Sequence, residues 1–212
     1  MVKLTERLAA VAALIHEDAM LADIGCDHGF LPVYLVLNGR IKSAVASDIN
    51  RGPLEACCQL VAEYSLENKI RCVLSNGLQK IQAEECTDIA VCGMGGELIA
   101  NIISECRWAK NPEKHFIFNP MTHPEILRKY LCENGFEIRT DRIVKEGRHY
   151  YNVFDAVYTG IIKEYDESYY YLGNIKHFEY KEYFNHILNY LENKMKGGED
   201  FSEIISAIKG KI

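Results

Sequence analysis

The chain has 212 residues, 48% of them hydrophobic and 25% charged, with a formal net charge of −6 at pH 7. This is an ordinary composition for a folded domain, and the length suits one domain of usual size with a modest appendage. No apolar run approaches the roughly 20 residues that a bilayer span needs, and the acidic balance excludes a broad electrostatic grip on nucleic acid, so any RNA contact has to be local.

The apolar stretch Leu8 to Ile15 is short, follows Lys3, Glu6 and Arg7, and lacks a small-residue cleavage pattern after it, which predicts a cytoplasmic protein. Leu4, Leu8, Val11 and Ile15 share one helical face, with Thr5 placed to cap it, so a helix is expected over 4–16 ahead of the main fold. Strand-like runs at 20–24, 43–47, 70–74, 87–92 and 115–118 alternate with helical spacing at 31–38, 52–65, 78–83, 95–106 and 123–134. Five such βα units predict a parallel sheet covered on both faces. Phe136 to Val144 and Tyr150 to Tyr158 then predict an antiparallel hairpin on the turn Lys145-Glu146-Gly147-Arg148. Beyond Ile161, Tyr180, Phe184, Ile187, Leu191 and Met195 fall at helical spacing, and a shorter helix is expected over 200–209. The expected organisation is a Rossmann-like α/β domain over 1–160 with a seven-stranded sheet, in the outline of class I methyltransferases, and a small helical C-terminal extension over 161–212. Eight cysteines without a Cys-x-x-Cys pair, and no histidines at zinc-ligand spacing, read as reduced thiols used as small apolar residues, with no metal site expected.

Chemistry concentrates at the strand ends. Leu21 to Pro32 reads as a buried strand, a turn containing Gly25 and Gly29, and the start of a helix. A dinucleotide fingerprint has glycine between these two so that backbone can approach a pyrophosphate. Here Asp27 stands there, which repels phosphate and suits a cationic ligand, the obvious candidate being S-adenosylmethionine. Asp23 either faces that ligand or pairs with backbone amides to fix the turn. Asp48, ending the second strand, can accept hydrogen bonds from both ribose hydroxyls of an adenosyl group, the alternative being helix capping. Asn76-Gly77 after the third strand can meet the adenine edge or form an ordinary turn. Gly93-Met94-Gly95-Gly96 after the fourth leaves room for a flat acceptor or for tight strand-to-helix packing. Asp27 serves catalysis or caps the following helix, and His28 can shuttle protons or be structural. Asn119-Pro120-Met121 lacks the aromatic of the amino-methylating motif, and that role is not assigned to it.

Leu4-Thr5-x-Arg7-Leu8, Ala22-Asp23-Ile24-Gly25-Cys26-Asp27-His28-Gly29-Phe30-Leu31-Pro32, Ser47-Asp48-Ile49-Asn50-x-Gly52-Pro53, Asn76-Gly77-Leu78 and Gly93-Met94-Gly95-Gly96-x-Leu98-Ile99 together resemble the bacterial TrmK-type tRNA (adenine(22)-N1)-methyltransferases. The likeness covers nearly all of 4–158 and continues through Pro120, Pro124, Leu127 and Arg128. It implies a class I fold, S-adenosylmethionine as methyl donor, tRNA as partner and methylation of N1 of adenine 22. The expected cofactor contacts are Asp23, Gly25, Gly29, Asp48, Ile49, Asn76, Gly77 and Gly93, with Asp27 and His28 as the catalytic candidates. The chain departs from the family pattern at Cys26, Phe30, Asn76 and Asn119, where serine, tyrosine, aspartate and glutamine are usual. Lys3, Arg7, Arg128, Lys129, Arg148, Lys194 and Lys196 are the cationic candidates for tRNA phosphates. Competing readings are a methyltransferase for a small molecule or protein, a noncatalytic RNA-binding protein of the same fold and, more distantly, a nicotinamide oxidoreductase.

Overall fold

The computed structural model describes residues 2–175 and 180–210. Helix α1 (Glu6–Ala12) precedes an alternation of β1 (Ala19–Ile24), α2 (Phe30–Leu37), β2 (Ile41–Asp48), α3 (Arg51–Glu63), β3 (Ile70–Leu74), β4 (Asp88–Cys92), α4 (Gly96–Glu105), β5 (His115–Asn119) and α5 (Pro124–Glu133). The hairpin β6 (Phe136–Glu146) and β7 (His149–Tyr158) follows, then α6 (Glu167–Leu172), α7 (Lys181–Met195) and α8 (Ser202–Lys209).

The sheet has seven strands in the order β3-β2-β1-β4-β5-β7-β6. β1 to β5 are parallel, and β7 enters antiparallel between β5 and β6. Alternation along each strand feeds two cores. Ala22, Ile24, Phe116 and Phe118 face Ile99 and Leu127 of α4 and α5, whereas Leu21 and Ile117 face the side of Val11, Leu35 and Val61 from α1, α2 and α3. Strand order reverses between β1 and β4, which is where open α/β sheets form their ligand crevice.

Three expectations need correction. The first helix is shorter than 4–16: the Thr5 hydroxyl accepts a 3.4 Å bond from the Leu8 amide as expected, but helix ends at Ala12, and Ile15 is buried from a loop. The 78–83 segment is not α-helical. Ser75 Oγ accepts from the Lys80 amide (3.2 Å) and donates to the Gly77 carbonyl (3.0 Å), which wraps the chain into turns ahead of a 3₁₀ turn at Ala83–Glu85. Leu78 and Ile81 are buried all the same, so their spacing reported burial rather than helix. The short α6 was not anticipated.

The tail has an apolar cluster of its own: Phe184 and Leu191 of α7, Ile204, Ile205 and Ile208 of α8, and Leu172 of α6, meeting the sheet at Ile143 of β6. All eight cysteines are free thiols; most are buried, although Cys58 is exposed. No helix among the described residues is long and apolar enough to cross a membrane.

Candidate functional site

A cavity of about 580 Å³ opens at the C-terminal ends of β1 to β4, lined among others by Asp23, Gly25, Asp27, His28, Asp48, Ile49, Asn76, Gly77 and Gly93. The structure thus brings together every sequence-predicted site residue but one. Gly29 is not in the wall. It sits at the start of α2 with φ +72°, and a Cβ there would meet Cys57 Sγ at 2.4 Å, so its contact is with α3.

The first turn is held by backbone. The amides of Gly25 and Cys26 both donate to the Ser47 carbonyl (2.8 and 2.9 Å), tying the end of β1 to β2. That removes the turn-fixing role considered for Asp23. Its side chain is buried, and no hydrogen bond is made to it among the described residues. Burial, and then the Asp48 and Asp27 carboxylates, push its pKa up to about 7. An unbonded carboxylate between two others awaits a cation or hydrogen-bond donors.

Asp48 Oδ2 accepts from the Asp27 amide (3.3 Å) and Oδ1 from the Asn50 amide (2.8 Å), so this carboxylate joins the first two strand-end turns. Each oxygen keeps a second lone-pair direction for a ligand. Asn50 occupies the position before α3, as expected, but its side chain makes no cap bond. Asp27 does not cap α2, whose N-cap is Gly29 without a side-chain bond. Instead Asp27 adopts φ +51°, strained for a residue with a Cβ, and its carboxylate is 71% exposed at the cavity, 3.7 Å from His28 Nε2. His28 stacks on Phe30 at 5.7 Å. Phe30, Ile49 and Leu98 are large apolar side chains left exposed on the cavity wall, a surface suited to flat rings.

The facing wall is built from two loops locked together. The Met121 amide donates to Met94 O and the Gly96 amide to Thr122 O, both at 2.8 Å. A Cβ on Gly96 would lie 2.1 Å from the His123 carbonyl, so close packing of β4–α4 against β5–α5 requires glycine there. Gly93, at φ +81°, has open space where a Cβ would be.

Arg7 is the cation of this otherwise acidic cavity, and sequence reasoning placed it only among phosphate contacts. From α1 its Nη1 donates to Oδ1 of the fully buried Asn119 (2.9 Å), its guanidinium lies 5.6 Å from the Tyr151 ring centroid, and its buried Nε has no hydrogen-bond partner among the described residues. The sequence signal for it was the Leu4 to Leu8 motif. Arg128, offered as a phosphate contact, is fully buried instead. Its Nε and Nη2 pair with Asp141 (3.0 Å each), Nη2 donates to Asn152 Oδ1 and Nη1 to the Tyr170 carbonyl. Lys129 is paired with Glu167.

At the opposite end of the sheet, His16, Asp88 and His115 bring three potential metal ligands within 4.8 Å, which sequence spacing did not suggest. His115 bonds Asp88 through Nδ1 (3.0 Å) and Asp155 through Nε2 (2.9 Å). Burial opposes its charge, but these two bonds outweigh it and push its pKa up to about 9. An imidazolium between two carboxylates is already a satisfied unit.

Residues 4–154 match a family of methyltransferase domains. The chain is 33% identical over 166 residues to the tRNA (adenine(22)-N(1))-methyltransferase of Bacillus subtilis, covering 75% of this chain and 70% of that protein. Among solved structures, Streptococcus pneumoniae Sp1610 in complex with S-adenosyl-L-methionine superposes with a TM-score of 0.87 at 28% identity, over 98% of this chain and 99% of that one. M. capricolum TrmK in complex with S-adenosyl-homocysteine does so at 0.80 and 26% identity, over 98% and 93%.

Proposed function

The chain belongs to the methyltransferase family that includes the tRNA (adenine(22)-N(1))-methyltransferases, and from that premise we propose that it transfers the methyl group of S-adenosylmethionine to N1 of adenine 22 in tRNA. The observation that carries the reading is the buried Asp23 carboxylate, without a hydrogen bond among the described residues and flanked by Asp27 and Asp48 at a glycine turn. Three acids there repel a diphosphate and fit a cationic ligand.

The residues present fit the donor. Asp48 keeps lone pairs for ribose hydroxyls, the exposed Ile49 offers an apolar face to the adenine ring, and Asn76 with Gly77 supplies polar groups for its edge. Asp23 serves the positive charge. When bound, S-adenosylmethionine supplies an electrophilic methyl on a cationic sulfur.

Adenine N1 lies on the pairing edge, so the base must be unpaired or flipped before its lone pair is accessible. Phe30 and Leu98 give that ring an apolar seat at the cavity mouth. The chain's own contribution is mostly to hold N1 aligned for in-line displacement. Methylation leaves the base cationic. The Asp27 carboxylate balances that charge or takes the N6 proton, and His28, 3.7 Å away, passes the proton to solvent.

Incubation of the purified protein with unmodified tRNA and methyl-labelled donor, followed by nucleoside mass spectrometry, tests this. One labelled N1-methyladenosine per tRNA is expected, lost when position 22 is guanine. Label in protein or in no product rejects the assignment.

A further inference from the structure

A second cleft, of about 270 Å³, lies where the β5–α5 loop and β7 meet α6 and α7. Its wall is aromatic, with Tyr150, Tyr171, Tyr183, Tyr190, His123 and His186, and Met121 lines both this cleft and the first cavity. His123, on the wall of this cleft, is held at φ +52°, a strained conformation for a residue with a Cβ.

We propose that this cleft receives the base of an unpaired nucleotide next to the methylated adenine, stacking it on tyrosine while the target base occupies the first cavity. The inference rests on the proposed tRNA activity.

Several observations select this occupant. The rings offer π-faces that accept any base, and the volume suits one planar ring rather than a helix or strand of a protein partner. Tyr183 forms the floor, its hydroxyl satisfied by Asn152 (3.1 Å), while Tyr190 stands exposed at the rim. Cations flank that rim: Lys145 Nζ lies 5.2 Å from the Tyr150 centroid and Lys194 Nζ 5.4 Å from that of Tyr190. Their partners are exposed carboxylates, Glu199 at 3.7 Å from Lys194 and Glu182 at 2.9 Å from Lys145, Glu182 also accepting from the Tyr150 hydroxyl; exposed pairs contribute little, so both lysines can turn to a phosphate. Finally, continuity through Met121 places a neighbouring nucleotide beside the acceptor position. A base flipped for N1 chemistry deprives its neighbour of a stacking partner, and this cleft replaces it. Glu125, the carboxylate on the wall, is 3.0 Å from His123 Nδ1 and favours a base edge that donates.

The test uses the full chain and tRNA carrying 2-aminopurine at either nucleotide flanking the methylated adenine, read by fluorescence without methyl transfer. Quenching at one flank is expected. Tyr190→Ala, at an exposed position that leaves the fold intact, should abolish it and raise KM for tRNA about tenfold with affinity for S-adenosylmethionine unchanged, and Tyr190→Trp should restore both. Lys194→Ala should lower the salt slope of tRNA binding by about one. A probe that stays bright at both flanks, or an unchanged KM in Tyr190→Ala, overturns the inference even where tRNA is methylated. Quenching that depends on Tyr190 without methylation sustains the cleft and removes only the activity.

Discussion

In the protein alone, burial beside Asp48 and Asp27 keeps Asp23 protonated up to about pH 7, whereas an unfolded aspartate ionises near 3.8. Between those values the unfolded chain sheds the proton first, so this residue lowers stability as pH rises through that window. A cationic ligand favours the carboxylate, which couples binding below pH 7 to proton release. The dissociation constant for S-adenosylmethionine should therefore be about tenfold higher at pH 6 than at pH 8 by calorimetry, and Asp23→Asn should flatten the profile. A flat wild-type profile would set Asp23 apart from the ligand's charge. Asp27 is different in kind, exposed and strained at φ +51°. Asp27→Ala should keep cofactor affinity and lose most turnover, on the order of 10²-fold or more, with full turnover removing it from the chemistry. Both aspartates were legible because their places in the strand-end turns fix where they point. Arg7 and Arg128 were not, since a charge pattern along the chain does not tell a cation buried on Asp141 from one on the surface.

Periodicity identified most of the elements, although it missed the short α6 and ran past the end of α1. It failed at 78–83, where Leu78 and Ile81 are core residues of a turn made by Ser75 side-chain bonds. A polar side chain competing for backbone groups is hard to see in an apolar pattern. The run Gly93-Met94-Gly95-Gly96 left two readings open, acceptor space or tight packing, and the geometry separates them by residue. Gly93 faces open space, whereas a Cβ on Gly96 meets the His123 carbonyl at 2.1 Å. That obstacle is backbone, so it cannot swing aside. Gly96→Ala should cost about 1–3 kcal/mol in urea unfolding and, by pushing the Thr122 and His123 loop away from α4, weaken acceptor use more than donor binding. Gly93→Ala is the control for backbone strain without a clash, because φ +81° disfavours alanine while nothing lies within 4 Å. Equal stability of Gly96→Ala and wild type would mean that the two loops are not locked.

At the scale of the molecule the question is how the tail is fixed relative to the sheet, since both aromatic walls and rim lysines come partly from it. One answer is polar. Arg128 of α5 is fully buried and ties Asp141 of β6, Asn152 of β7 and the Tyr170 carbonyl of α6 into one unit, with Phe154 under its guanidinium at 5.1 Å. Gly173 closes over the pair, where a Cβ would meet Asp141 Oδ2 at 2.0 Å. Such a pair gains little against an apolar replacement but leaves a costly buried charge when halved. Arg128→Ala should thus destabilise by about 3–5 kcal/mol, and the double variant Arg128→Met with Asp141→Leu should recover much of that loss. The informative measurement is whether unfolding stays a single transition. If the ion pair orients the tail, the double variant should fold yet bind tRNA more weakly, because the apolar cluster around Phe184 and Ile143 persists while the direction imposed by three hydrogen-bonded elements does not. A double variant with wild-type tRNA affinity would show that apolar contacts alone set the tail's position, and that the buried arginine serves stability only.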